Sequence, residues 1–213
     1  MKLYVEGGGD SHLLRTACRQ GFTTFLERAG LTGHMPRIVA SGGRQQAYDD
    51  YCTAIENGEE ALLLVDSEAP VAQVAQPGDG NDEVSRQAWL PWSHLKTRDN
   101  WDMPANGEEL QCHLMVQCME TWFLADREVL KGYFNQGFKD NQLPAANNPI
   151  ETVAKKQVYD SLANATHNCK TKTQYGKGEH SFKLLALVDP AKVTAASPWV
   201  KRFVDALKKK MGA

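Results

Sequence analysis

The sequence lacks the features that mark membrane, secreted and disulfide-stabilised proteins. No apolar run approaches the roughly 20 residues that a membrane-spanning helix requires. The amino terminus carries one lysine and then a glutamate, so we expect no secretory signal. The five cysteines include no CxxC pair, which favours free thiols over disulfides or a zinc site. These absences predict a cytoplasmic protein.

The chain also has little net charge, but the charge is unevenly distributed. The formal net charge is −2, yet residues 1–150 hold 12 Lys and Arg against 21 Asp and Glu. Residues 151–213 hold 12 basic residues against 5 acidic ones. An acidic first part can hold metal ions and a basic last part can bind phosphates. The alternative is an ordinary solvated basic face that ends in the Lys208–Lys210 tail.

Apolar spacing predicts alternating strands and helices in the first 130 residues. The run Ala61–Val65 is apolar at every position, which is typical of a strand buried on both faces of a parallel sheet. Short connections between strand and helix favour a doubly wound arrangement. We therefore predict an α/β, Rossmann-like fold with a mainly parallel sheet flanked by helices. The predicted strands are 3–5, 37–40, 61–65 and 113–116, and the predicted helices are 13–29, 44–56 and 119–130.

The remaining segments have weaker patterns. Residues 69–110 are predicted to be an inserted loop, whose tryptophans either pack together or form a surface for base stacking. Residues 131–213 are predicted to be a mostly helical, basic region that packs on the core of residues 1–130. It contains a loop at 132–148, a helix at about 150–165, a mobile basic loop from 170 that enters a helix near Ser181, and a last helix at 199–210. His113 is interpreted as a structural histidine.

Acidic residues follow two of the predicted strands. Glu6 ends the first strand, and Asp66 and Glu68 follow the third. Residues two apart in an extended chain point the same way, and parallel neighbours end at one sheet edge. Hard divalent cations such as Mg²⁺ or Mn²⁺ take carboxylate oxygens as ligands. The pattern predicts a metal site, although an acid after a buried strand can also simply cap a loop.

Further candidates surround these acids. Gly7, Gly8 and Gly9 leave room for a ligand near the backbone, and Asp10 is either a metal ligand or, like Ser11, a helix cap. Glu120, in the first turn of a predicted helix, can face the same sheet edge. Lys177, between two glycines, can neutralise charge in phosphoryl transfer or be an exposed loop lysine. The remaining phosphate-binding candidates are Arg44 and Lys183.

The strand motifs LYVEG and LLLVDSE resemble those of the Toprim domain, the metal-binding catalytic domain of topoisomerases, primases and several nucleases. The resemblance implies metal-binding roles for Glu6, Asp66 and Glu68, the last of which replaces the usual aspartate. The segment QCMETWFLAD resembles the E-x-W helix of Toprim-like proteins that accompany ABC-type ATPases in bacterial phage defence, and this implies that Glu120 completes the metal site. The segments CRQGF, SGGRQQAYDDY and YGKGEHSF are similar to a Toprim-like family of about this length.

These patterns predict a Mg²⁺- or Mn²⁺-dependent nuclease that acts on DNA or RNA, with an ABC-type ATPase as its partner. Two other interpretations stay open. The protein can be a non-catalytic partner of the ATPase whose acids stabilise the fold through bound metal. It can also be a phosphatase or phosphotransferase acting on small phosphoesters, since such acids serve that chemistry too.

Overall fold

One parallel sheet organises the molecule. A computed structural model describes residues 1–213 and places four strands in the order β2-β1-β3-β4. All neighbouring strands run parallel, and Leu3 of β1 pairs with Ile38 on one side and with Leu62 on the other. The fold is α/β and Rossmann-like, as predicted. The strands are β1 (Lys2–Gly8), β2 (Arg37–Gly42), β3 (Ala61–Asp66) and β4 (Cys112–Met115).

Two hydrophobic clusters cover the faces of the sheet. Every residue of β3 is buried, and its side chains alternate between the clusters, Leu62 and Leu64 in one and Leu63 and Val65 in the other. This explains the unbroken apolar run, because neither face of the strand meets water. Helix α1 (His12–Leu26) belongs to the first cluster and α2 (Arg44–Glu56) to the second. Two helices that cover opposite faces leave the carboxyl ends of the strands at one shared edge.

Helices also make up most of the rest of the chain. The segment 69–110, which was predicted to be a loop, contains two helices, α3 (Glu83–Gln87) and α4 (Pro91–Asp99). The prediction failed because the apolar residues of α4 form no regular stripe in the sequence; Pro91, at its first position, was the one local sign of a helix start. The further helices are α5 (Arg127–Phe134), α6 (Lys155–Thr166), α7 (Lys177–Leu187), α8 (Pro190–Ala196) and α9 (Pro198–Met211).

The aromatic residues of this segment are packed. Trp89, Trp92 and Trp101 are buried, and Trp89 lies 4.6 Å from Trp199 between ring centroids. Trp101 stacks on Tyr48 at 4.5 Å. Of the two interpretations of the tryptophans, the packed one is confirmed.

Several boundaries in the second half differ from prediction. Residues 119–130 are not one α-helix: a 3₁₀ segment, Met119–Ala125, ends at Asp126 before α5 begins. Helix α5 runs into the predicted loop at 132–148, and α6 begins at Lys155 rather than near 150. Helix α7 begins at Lys177 rather than near Ser181, so Lys177 lies in its first turn. The glycines that flank Lys177 suggested a loop, but Gly176 only precedes the helix.

The C-terminal helices pack on the core of the sheet. Helix α9 contributes Trp199 to one cluster and Phe203 and Leu207 to the other. Arg202 is buried and donates hydrogen bonds to backbone carbonyls of Arg86 and Cys112 and to Nδ1 of His113. The structural interpretation of His113 is thus confirmed. None of the helices has the length and apolar content needed to cross a membrane.

Candidate metal centre

The end of β1 is shaped by glycines. Glu6, Gly7 and Gly8 all lie opposite Gly42 of β2, so the two strands separate in a bulge beyond Val5. Gly42 has φ +92°, and a Cβ there would lie 2.6 Å from the backbone oxygen of Gly9. Only glycine fits such a close approach. This close contact between the backbone after β1, at Gly9, and the end of β2, at Gly42, fixes the position of Glu6 at the sheet edge.

Asp66 is the last residue of β3 and is almost fully buried. Its Oδ1 accepts a hydrogen bond from the backbone N–H of Met119 at 2.9 Å. Its own backbone N–H donates to Oε2 of Glu6 at 3.1 Å. The ends of β1 and β3 are therefore tied together through the carboxylate of Glu6.

Glu68 joins this group by a different route from the predicted one. The strand stops at Asp66, and Glu68 has φ +64°, in the left-handed region that non-glycine residues rarely adopt. The backbone N–H of Glu68 donates to the carbonyl of Gln117 at 2.8 Å, which holds this turn. The prediction of an extended backbone at Glu68 was wrong. The turn nevertheless brings its side chain toward Asp66.

The three carboxylates form a compact cluster. One oxygen each from Glu6, Asp66 and Glu68 lies within 4.8 Å of the others. Burial, together with the charges of Glu6 and Glu120, raises the pKa of Asp66 to about 8. Burial also raises the pKa of Glu6. Both shifts have burial as their largest cause, because removal from water disfavours the charged form of a carboxyl group.

Lys155 supplies positive charge to this cluster, and sequence reasoning missed it. Its Nζ donates to Oδ2 of Asp66 at 3.0 Å and also forms an ion pair with Glu68. Burial lowers the pKa of Lys155, but Asp66 and Glu68 outweigh it and raise the pKa overall. Burial would raise the pKa of Glu68, but Lys155 lowers it. Lys155 and Lys156 stand at the start of α6, the helix end that disfavours cations, but the sequence placed this start near residue 150 and so gave no such signal.

Arg44 is held rigidly at the first turn of α2. Its Nε donates to the backbone carbonyl of Asp66 at 2.9 Å, and its Nη1 lies 2.6 Å from Asp99. The guanidinium carbon lies 4.4 Å from the ring centroid of Trp101. Its Nη2 is buried and has no protein partner. The Nε of this predicted phosphate-binding residue also lies 3.8 Å from Oε2 of Glu6, so its positive charge is close to the carboxylates.

Glu120 lies beside the cluster but is occupied by hydroxyl groups. It is fully buried, and its Oε1 accepts hydrogen bonds from Ser181 at 2.9 Å and Tyr175 at 3.3 Å. Its Oε2 accepts one from Tyr159 at 2.9 Å. Glu120 is not among the three carboxylates that converge within 4.8 Å. Its contacts fasten α6 and α7 to the sheet edge, a role that no local sequence pattern indicated.

A cavity of about 380 Å³ opens beside the carboxylates. The acidic residues Glu6, Asp66 and Glu120 line it together with the glycine turn, and so do the apolar side chains of Leu14 of α1 and Phe182 of α7. Lys177 also lines the cavity. Its positive charge partly opposes the rise that burial causes in the pKa values of Glu6 and Asp66. The lining residues are Glu6, Gly7, Gly8, Gly9, Leu14, Gly42, Asp66, Met119, Glu120, Lys177, Gly178 and Phe182.

Two predicted site residues lie outside this centre. Asp10 is fully exposed, and its nearest cation is Arg15 at 3.9 Å. Ser11, not Asp10, caps α1 by accepting from the N–H of Leu14. Lys183 is exposed on α7 and does not line the cavity.

Comparison with known families gives one match. Residues 5–208 match the family described as a domain of unknown function, DUF4276. The chain belongs to this family. The match spans the carboxylate cluster, the cavity and all but the last residues of α9. No curated protein and no solved structure matches the chain.

Proposed function

We propose that this member of the DUF4276 family is a divalent-metal-dependent nuclease that hydrolyses phosphodiester bonds in DNA or RNA. The observation that carries the proposal is the convergence of Glu6, Asp66 and Glu68 within 4.8 Å, at the shared edge of β1 and β3. Oxygen ligands in this arrangement suit Mg²⁺ or Mn²⁺. Cations lie around the same group, as catalysis on a phosphate requires.

The residues present fit a divalent cation. The three donors are all carboxylates that converge within 4.8 Å, and two of them, Glu6 and Asp66, line a cavity that a ligand can enter. Lys155 already supplies one positive charge by pairing with Asp66 and Glu68. A bound divalent cation would replace part of the positive charge that Lys155 supplies to these two carboxylates.

The chain's own groups would divide the chemistry. A divalent cation, when bound, activates water and polarises the phosphate. Glu6, Asp66 and Glu68 would hold it. Lys177, which lines the cavity, would stabilise negative charge on the phosphate oxygens, and Arg44, whose Nε lies 3.8 Å from Oε2 of Glu6, would offset the charge of the carboxylates.

The Toprim type, a cytoplasmic location and a role as effector of an ATPase-linked anti-phage system belong to the same proposal. They are supported by the resemblance of LYVEG, LLLVDSE and QCMETWFLAD to Toprim motifs. A neighbouring gene for an ABC-type ATPase, and copurification of the two proteins, would support the partnership. Full nuclease activity of the isolated chain would argue against an obligatory partner.

A cleavage assay with matched variants tests the nuclease proposal. With Mn²⁺ and labelled DNA and RNA, we expect Glu6→Ala and Asp66→Ala to reduce the rate at least 100-fold, because each removes a metal ligand. Asp10→Ala is the control, since this carboxylate lies on the same turn but is fully exposed. Equal cleavage by the wild type and both site variants would refute the assignment.

A phosphatase acting on small phosphoesters is the second candidate. The cavity of about 380 Å³ has the size of a small-molecule site, which favours this alternative. An acid-labile phosphate on Asp66 after incubation with a phosphate donor would support it. Metal binding that raises the melting temperature without turnover of any phosphoester would instead favour the non-catalytic interpretation.

A further inference from the structure

The shape of the cavity restricts which part of a nucleic acid can reach the carboxylates. Asp66 is 3% exposed, and the cavity in front of it is bounded by α1 and α7. Its volume, about 380 Å³, lies at the low end of the range for small-molecule sites. A duplex, whose major groove alone is about 12 Å wide, cannot enter such a space. A single nucleotide unit that inserts into the cavity fits this space and brings its phosphate toward Asp66.

Apolar side chains that line the same cavity suit a base. Phe182 lines the cavity, is partly exposed and lies against the glycine turn: a Cβ at Gly7 would be 3.1 Å from its ring. Leu14 and Met119 extend this apolar surface. Aromatic rings bind bases of any sequence by stacking. The cavity therefore offers carboxylates together with an aromatic and aliphatic surface.

The positive charge nearest to the cavity comes from Lys177. Lys177 stands in the first turn of α7, and its Nζ lies 5.6 Å from the ring centroid of Tyr159. It is exposed while lining the cavity, so it can meet a phosphate that enters from solvent. Phe182, on the same helix, is farther from the helix start and lines the same cavity.

From this arrangement we propose that the cavity binds one nucleotide at the free end of a single strand, with its base on Phe182 and its phosphate between the carboxylates and Lys177. The inference rests on the proposed function and narrows it from nucleic acid in general to exonucleolytic action on single-stranded ends. A free mononucleotide presents the same chemistry and should occupy the cavity as well.

Substrate topology tests the inference. With Mn²⁺, we expect stepwise shortening of a linear single-stranded oligonucleotide, at least ten-fold slower action on a blunt duplex and no cleavage of a closed single-stranded circle. Cleavage of the circle at the linear rate would overturn the inference but leave the nuclease proposal standing. Turnover of mononucleotides alone would favour the phosphatase and overturn the strand-end assignment.

A binding measurement separates the cavity from catalysis. Equilibrium binding of a mononucleotide in the presence of Mg²⁺ should weaken about ten-fold in Phe182→Leu, which keeps apolar volume but removes the ring. The control is Phe138→Leu, which alters a partly buried aromatic residue outside the cavity. If no substrate is cleaved, the nuclease proposal fails, and loss of binding only in the Phe182 variant still supports a nucleotide site. Absence of mononucleotide binding by the wild type, or equal binding by all three proteins, would overturn it.

Discussion

At the scale of single residues, local sequence patterns predicted some site residues and were silent on others. Glu6 and Asp66 were identified because each directly follows a short apolar strand, and both lie at the sheet edge. Lys155 comes from a helix 89 residues after Asp66, and no local pattern links the two. The same holds for the hydroxyls that surround Glu120. Contacts across such separations depend on how the helices pack, which apolar periodicity does not specify.

The close approach at Gly42 gives a sharp mutational prediction. Gly42→Ala should lower the free energy of unfolding by at least about 2 kcal/mol, because its Cβ would meet the backbone oxygen of Gly9 at φ +92°. Gly43→Ala is the neighbouring control, since a Cβ there meets nothing within 4 Å. Urea denaturation measures both. Similar losses in the two variants would contradict the steric argument.

The hydroxyl groups on Glu120 give a second prediction. Tyr159→Phe should cost about 1.5–3 kcal/mol of stability, since it removes a donor from a fully buried carboxylate. Tyr48→Phe removes a hydroxyl that donates to the exposed backbone carbonyl of Asp102, and we expect a smaller loss. Chemical denaturation compares the two. An equal or larger loss in the Tyr48 variant would show that Glu120 is not the anchor of α6.

At the scale of elements, the accuracy of the prediction depends on whether the sequence marks where each helix starts. Sequence reasoning placed α2 and α9 within one residue, because both have clear terminal signals. It misplaced the start of α7, where glycines flank a lysine that is already helical. It missed α4, whose burial is set by tryptophans rather than by a regular apolar stripe. Strong caps and periodicity can be read locally, whereas burial imposed by neighbouring elements cannot.

The start of α9 carries a pH-dependent interaction. Glu151 accepts hydrogen bonds from the hydroxyl of Ser197 and from the N–H of Trp199 at 3.1 Å. Burial raises the pKa of Glu151 above its ordinary value of 4.5, although these hydrogen bonds oppose the shift. The folded state therefore holds this proton to higher pH than the unfolded state, so its contribution to stability falls as pH rises from 4.5 through the folded pKa.

Glu151→Gln should remove the loss of stability at high pH, because an amide oxygen accepts the same hydrogen bonds without carrying a charge. We expect the variant to melt at a higher temperature than the wild type at pH 8 and at nearly the same temperature at pH 4. Glu128→Gln, at an exposed glutamate on α5, is the control. Scanning calorimetry across this pH range provides the measurement. A constant difference at all pH values would contradict the proposed titration.

At the scale of the whole molecule, the helical C-terminal region completes the core of the sheet. The larger cluster combines Leu3 and Leu64 of the sheet with Leu184 and Phe203 of the last helices. The α/β class was predictable because it depends on strand periodicity alone. The way α9 joins both clusters was not, because it requires the positions of Trp199 and Arg202 in three dimensions.

This shared core predicts cooperative unfolding. Urea transitions followed by tryptophan fluorescence and by far-ultraviolet circular dichroism should coincide, because no element has a core of its own. A fragment of residues 1–130 should lack a folded sheet, since it loses the partners that α9 supplies. Two separate transitions, or a folded fragment, would show that the C-terminal region is an independent domain.

Lys155 gives the acidic centre an internal counter-ion, and this has a consequence for metal exchange. A cation that binds Glu6, Asp66 and Glu68 competes with an ammonium group already in contact with two of them. Loading is then a substitution of one positive charge for another rather than the filling of a bare anionic site. If the proposed ion binds there, we expect Lys155 to give up part of this contact and to restore it when the ion leaves, so the start of α6, which carries Lys155, would shift with metal occupancy.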